Sequence, residues 1–148
     1  MPALPNYLLD ACALLALLNN EKGADIVSGL LDSAKCGEIT LSMNAANLIE
    51  VYYDRIRMHG HELADAIIRG IYDTSPISII EELSPAIVRE AAYFKAAGKM
   101  SFADSILVAT ARCTGATVVT CDHVELEPVE RQGQIPFLWI RPQYPINN

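Results

Sequence analysis

Basic residues are in short supply. Eleven Lys and Arg face 18 Asp and Glu among 148 residues, a net charge of −7, so composition offers no support for holding nucleic acid through its phosphates. Any such contact has to be local. No apolar stretch approaches the roughly 20 residues that a bilayer span requires, which excludes a membrane helix. Met1-Pro2-Ala3-Leu4-Pro5 has neither a basic region nor a long apolar run; no secretory signal is visible, and a cytoplasmic location is expected. C-x-x-C pairs are absent as well. Cys12, Cys36, Cys113 and Cys121 are scattered and read as reduced, mostly buried core residues; a zinc trio of Cys113, Cys121 and His123 matches no zinc module. Glycine-rich phosphate loops and G-x-S-x-G elbows are missing too.

What the chain does have is acids in apolar company. Asp10 lies between Tyr7-Leu8-Leu9 and Ala11-Cys12-Ala13-Leu14-Leu15. Glu50 interrupts Asn47-Leu48-Ile49 and Val51-Tyr52-Tyr53, Asp104 follows Phe102-Ala103, and Asp122 closes Val118-Val119-Thr120-Cys121. A carboxylate desolvated alone loses several kcal/mol, so buried acids are paired, hydrogen-bonded or bound to a metal. Four of them suggest one site for a polyvalent cation. Two divalent ions there would bring the net charge only to about −3.

Apolar runs alternate with helix-period stretches, the pattern of an α/β domain with a mostly parallel sheet. Strands are expected at Tyr7 to Asp10, Ile39 to Leu41, Pro76 to Ile80, Thr117 to Thr120 and Pro136 to Ile140. Helices are expected up to Leu18, from Gly23 to Ala34, from an N-cap at Ser42 to about Met58, and on to about Tyr72 after His59-Gly60-His61. Two more start at Ser84-Pro85 and at Ser101. The whole reads as a single domain over residues 1–141 with a loosely held tail over 142–148. Asp10 and Asp122 fall at strand ends, where open parallel sheets bind ligands, and Glu50 and Asp104 sit on helices able to lean toward that rim.

Capping offers a competing account. Asp10 can cap the first helix. Ser101-Phe102-Ala103-Asp104 and Asp122-His123-Val124-Glu125 both have capping-box spacing. Glu50, mid-helix, has no such excuse, and capping explains the positions of the acids but not their number. Arg55, Arg57, His59, His61 and Arg69 form the densest cationic stretch. Arg55 and Arg57 are the candidate contacts to a phosphate backbone there, against the alternative of a solvated helix end.

With these residues in view the chain resembles the PIN-domain ribonucleases, and among them the VapC-type toxins. The likeness rests on Leu9-Asp10-Ala11-Cys12-Ala13-Leu14-Leu15, Asn47-Leu48-Ile49-Glu50-Val51, Ser101-Phe102-Ala103-Asp104-Ser105-Ile106 and Val118-Val119-Thr120-Cys121-Asp122, and runs from Tyr7 to about Trp139. It implies a three-layer α/β/α sandwich and hydrolysis of RNA by Mg²⁺- or Mn²⁺-activated water. It also implies an antitoxin partner and a homodimer. Asp10, Glu50, Asp104 and Asp122 would be the catalytic and metal-binding quartet, Asp10 and Asp104 its main ligands and Asp122 the holder of a second, weaker ion. Cys12 departs from the family, standing where a serine, threonine or asparagine commonly supports the site; His123, after the fourth acid, has no assigned role. Two alternatives remain beside the toxin: a non-catalytic interaction module and a stand-alone RNA-processing nuclease. Phosphotransfer domains rank last, because Cys12 replaces the second acid that a haloacid-dehalogenase-like phosphatase needs and the acidic pair of a receiver is missing.

Overall fold

The central strands are apolar on both faces and so demand cover on both sides. In the computed structural model, which describes residues 2–143, five strands form one sheet: β1 (Asn6–Leu9), β2 (Thr40–Asn44), β3 (Ser78–Ile80), β4 (Thr117–Thr120) and β5 (Phe137–Trp139). All pairings are parallel, in the order β3-β2-β1-β4-β5. Leu8 pairs with Val118 and Leu9 with Val119. Because side chains alternate along a strand, each pair feeds a different core. Leu9 and Val119 pack with Leu41 and Met43 beneath α1 (Ala11–Leu18), α2 (Ala24–Lys35), α3 (Ala45–His59) and α4 (His61–Thr74). Leu8 and Val118 pack on the other face beneath α5 (Pro85–Ala97), α6 (Phe102–Thr114) and α7 (His123–Arg131). Each large side chain fully buried this way contributes about 1.5–3 kcal/mol. The result is the expected α/β/α sandwich, with a sheet that is parallel throughout its described strands.

Local chemistry sets the element ends. Ser84 accepts the Ile87 N–H with Pro85 at the first helical position, Ser101 accepts the Asp104 N–H, and Gly60 takes φ +84° between α3 and α4. Gly23 is held at φ +100° where an added Cβ would come within 2.7 Å of the Ile140 carbonyl, so only glycine lets α2 start against the end of the sheet.

Three expectations need correction. Ser42 is not a helix cap: it lies inside β2, paired with Leu8 on one side and Ser78 on the other. Pairing on both edges keeps the chain extended to Asn44, which becomes the N-cap position and spends its side chain accepting from Thr110 Oγ1 at 3.1 Å. α7 occupies a stretch for which the sequence offered a cap but no assigned helix. No cysteine is buried: Cys36 ends α2 and Cys113 lies in the last turn of α6, both exposed, while Cys12 and Cys121 are half-buried. Residues 144–148, most of the expected loose tail, lie outside the described residues. Among the described residues no helix is long and apolar enough to cross a membrane.

Candidate active site

From β1 the chain steps outward to β2 and β3, then returns to build β4 and β5 on the other side. The strand order thus reverses between β1 and β4, the place where parallel sheets open a crevice at their carboxyl ends. A cleft of about 330 Å³ lies there, lined by Asp10, Cys12, Glu50, Asp54, Asp104, Asp122 and Glu125 among others. All four acids singled out in the sequence therefore face one space. Among the described residues no Lys or Arg lines it.

Asp10 follows β1 directly and its N–H continues the pairing to the Val119 carbonyl at 3.0 Å. The residue is 3% exposed. Oδ1 accepts the Ala11 N–H at 2.7 Å, so it does cap α1, while Oδ2 accepts the Thr120 hydroxyl at 2.8 Å and the Cys12 thiol at 3.5 Å. Asp122 likewise caps α7, accepting the Glu125 N–H at 3.2 Å, and its own N–H donates to Thr120 Oγ1 at 3.0 Å. One threonine hydroxyl thus links two of the acids.

Asp104 behaves differently. In a capping box it would reach back to the Ser101 N–H, but that N–H donates to Glu125 Oε2 at 3.3 Å. Displaced from the cap, the Asp104 carboxyl hydrogen-bonds to Glu125 instead. Oxygens of Asp104, Asp122 and Glu125 all lie within 4.8 Å of one another, close enough to ligate a common ion. Asp10 stands outside this tightest group yet near enough for its charge to act on Asp104. Glu125 is the residue that the sequence undervalued. The N-termini of α1, α6 and α7 all meet at this cleft, and their positive dipole ends partly offset the crowding of negative charge.

Burial is the largest cause raising Asp104 to about 9, followed by the bond to Glu125 and the charges of Asp10, Glu125 and Asp122. Burial also pushes Asp10 well up, opposed by the Thr120 and Ala11 bonds. In half-buried Glu50 the same cause, helped by the Glu125 and Asp122 charges, outweighs the pull of the Asn47 amide. Glu125 moves down because it accepts the bond from Asp104. Without an ion the cleft therefore retains a proton at neutral pH. An all-oxygen donor set with surplus negative charge fits a hard divalent cation such as Mg²⁺ or Mn²⁺.

The cationic candidates separate. Arg55 is 3% exposed, its guanidinium bonded to Asp54 (2.6 Å) and to Asn19 Oδ1 (2.8 Å). It ties α3 to the end of α1 and cannot reach an RNA backbone, which corrects the expectation for that residue. Arg55→Ala is expected to lower stability by about 1–2 kcal/mol, because the packed stem and the bonds to Asp54 and Asn19 are lost; a urea melt checks it. Arg57 is exposed and lies over the ring of Tyr53, 4.9 Å from its centroid, and Tyr53 lines the cleft. His123 turns away from the acids. It stacks on Trp139 at 4.1 Å, with Nδ1 on Glu127 and Nε2 on the Arg141 carbonyl. Its role is to hold α7 against the chain leaving β5.

A family model for the PIN domain matches residues 7–128. The chain belongs to the PIN-domain family. Among solved structures, this PIN domain is similar to a toxin–antitoxin complex from Klebsiella pneumoniae (14% identity, 93% of this chain and 99% of that chain covered, TM-score 0.65). It is also similar to DNA-bound VapBC from Salmonella typhimurium (15% identity, 93% and 99% covered, TM-score 0.69). A third likeness is to Mycobacterium tuberculosis VapC20, described as a sarcin–ricin loop cleaving toxin (16% identity, 82% and 94% covered, TM-score 0.62). At such identities these likenesses establish a shared fold. No curated protein matches the chain.

Proposed function

We propose that this PIN domain is a metal-dependent endoribonuclease and the toxin of a toxin–antitoxin pair. The observation that carries the proposal is the cleft at the strand-order reversal, where Asp104, Asp122 and Glu125 hold oxygens within 4.8 Å of one another, with Asp10 and Glu50 on the same walls. Asp104, Asp122 and Glu125 would hold Mg²⁺ or Mn²⁺, with Asp10 completing the set and Glu50 orienting water. Held there, the cation would supply an activated water and neutralise charge at the scissile phosphate. The chain's own residues prepare for this. Thr120 and Cys12 fix the rotamer of Asp10, Ser101 and Glu125 place Asp104, and Asp122 is held through its N–H by Thr120.

A bare acidic cleft repels a phosphate backbone, so substrate binding would wait on the cation and on local positive charge at the rim. Exposed Arg57 beside Tyr53 is the residue proposed to meet the RNA. The antitoxin partner is inferred from the fold shared with VapBC complexes. The homodimer draws support from exposed apolar side chains on one face, including Val88 of α5 and Phe102 of α6.

A purely structural role accounts for less. Asp10 and Asp122 do cap helices, but Asp104 and Glu50 cap nothing, and Asp104 is strongly desolvated without contributing to the cap of its own helix. The test is cleavage of an RNA panel, structured ribosomal and transfer RNAs included, with Mn²⁺ or Mg²⁺ and then with EDTA. Cleavage with either ion and its loss in EDTA are expected. Intact RNA across the panel at several metal concentrations would count decisively against a nuclease. A small reading frame beside the gene, coding for a DNA-binding start and a hydrophobic tail, separates the toxin from a stand-alone RNA-processing enzyme.

A further inference from the structure

Two thiols meet at the wall of the cleft. Cys12, second residue of α1, and Cys121, the residue after β4, come from opposite ends of the chain. The Cys121 N–H nonetheless donates to Cys12 Sγ at 3.2 Å. The same Cys12 sulfur lies 3.5 Å from Asp10 Oδ2 and 3.3 Å from Thr120 Oγ1. Cys12 also lines the cleft itself, which gives a small oxidant a way in. Asp10 and Asp122 flank the pair two residues and one residue away.

We propose that Cys12 and Cys121 form a reversible disulfide on exposure to hydrogen peroxide, and that this bond weakens the carboxylate cleft beside it. Peroxide is small and uncharged, so the acids do not repel it. One thiol of the pair attacks a peroxide oxygen; the S–O bond forms, the O–O bond breaks, and the departing oxygen leaves as water with the proton that the thiol gave. The second thiol then attacks the sulfenic sulfur; the S–S bond forms, the S–O bond breaks, and the oxygen departs as water with the second thiol's proton. In sum, two thiols and one peroxide give one disulfide and two waters, each sulfur losing one electron and each peroxide oxygen gaining one.

Oxidation removes the Cys12 S–H that donates to Asp10. It also ties the start of α1 to the junction carrying Asp122, shifting both acids from the positions in which Cys12 and Thr120 hold them. The effect on the cleft rests on the nuclease reading above, whereas the cross-link does not.

The test uses the full chain with the two exposed thiols removed, Cys36→Ser/Cys113→Ser. This protein is treated with stoichiometric peroxide, its remaining thiols are alkylated in denaturant, and it is weighed intact. The expected product has lost both alkylation sites together, is two hydrogens lighter than the reduced chain, and reverts with dithiothreitol. Cys12→Ser in the same background should give no such product. Titration calorimetry should show Mn²⁺ bound about tenfold or more weakly by the oxidised form, the scale on which groups supporting a metal ligand act. Independent oxidation of the two thiols to sulfinic acids, without paired loss, overturns the proposal. So does a disulfide that leaves Mn²⁺ affinity unchanged. A reduced protein that binds no Mn²⁺ overturns the nuclease reading and the switch with it, while the mass measurement still decides the cross-link.

Discussion

Asp104→Asn is expected to raise the stability of the metal-free protein while abolishing metal-dependent cleavage. The two effects have one origin. Asp104 is 5% exposed, and burial followed by neighbouring acids lifts it from 3.8 to about 9. An acid raised in the folded state stabilises fully below its unfolded value and loses that stabilisation as pH climbs toward the folded one. For Asp104 the window runs from about pH 4 to about pH 9. At pH 8 most of the loss has occurred, because the unfolded chain releases a proton that the fold retains. Asparagine has no proton to retain and still offers an N–H to Glu125. Allowing for the openness of the cleft, a gain of about 1–2 kcal/mol is expected at pH 8 in EDTA, a rise of several degrees in Tm. Cleavage with Mn²⁺ should fall at least a hundredfold, since a neutral amide replaces a charged ligand in the closest oxygen cluster. Urea melts and a cleavage assay on the same preparation check both halves. A variant less stable than wild type at pH 8 would mean that the carboxyl serves the fold rather than the ion.

This opposition of stability and activity explains how the site could be seen in sequence at all. Asp10, Glu50, Asp104 and Asp122 stand out because burial near apolar runs is unfavourable for an acid, and in the structure they do converge on one cleft. Glu125 hid because its sequence context suffices to explain it: Asp122-x-x-Glu125 is a capping-box spacing, and Asp122 really does cap α7. Only the tertiary partner, the Ser101 N–H on another helix, shows that Glu125 turns into the cleft and frees Asp104. The strands were legible because alternation on a sheet buried on both faces leaves near-continuous apolar runs. β2 was cut short because pairing to β1 and β3 overrides the preference of Ser42 for a helix start.

Arg55 was misplaced for a different reason. It was weighed by local charge density, yet Leu48, Val51 and Arg55 follow helical spacing and share the buried stripe of α3. Phase along the helix would have set Arg55 apart from Arg57. α7 escaped notice because Pro128 stands inside it and normally ends a helix. Burial of Leu126 and Val129 holds the element together regardless.

Mn²⁺ should offset the pH dependence of stability. The free protein loses stability as pH rises, because burial pushes Asp104, Asp10 and Glu50 upward. An ion binds the deprotonated carboxylates, so it must expel the retained proton. Linkage then requires affinity to rise about tenfold per pH unit for each proton expelled, until Asp104 is ionised near pH 9. With Mn²⁺ at about a hundred times its Kd, binding adds about 2.7 kcal/mol to the fold, and at fixed ion concentration that gain grows between pH 6 and pH 8. Tm in EDTA should therefore fall over this range while Tm in Mn²⁺ falls less or rises, so that the curves diverge. Calorimetry in two buffers of different ionisation enthalpy gives the same quantity directly, as at least one proton released per ion at pH 7.5. Parallel Tm curves, or heats independent of buffer, would place the ion elsewhere. The desolvated acids would then have no counter-charge to justify their burial, and the cleft would lose the feature that argues for a catalytic role.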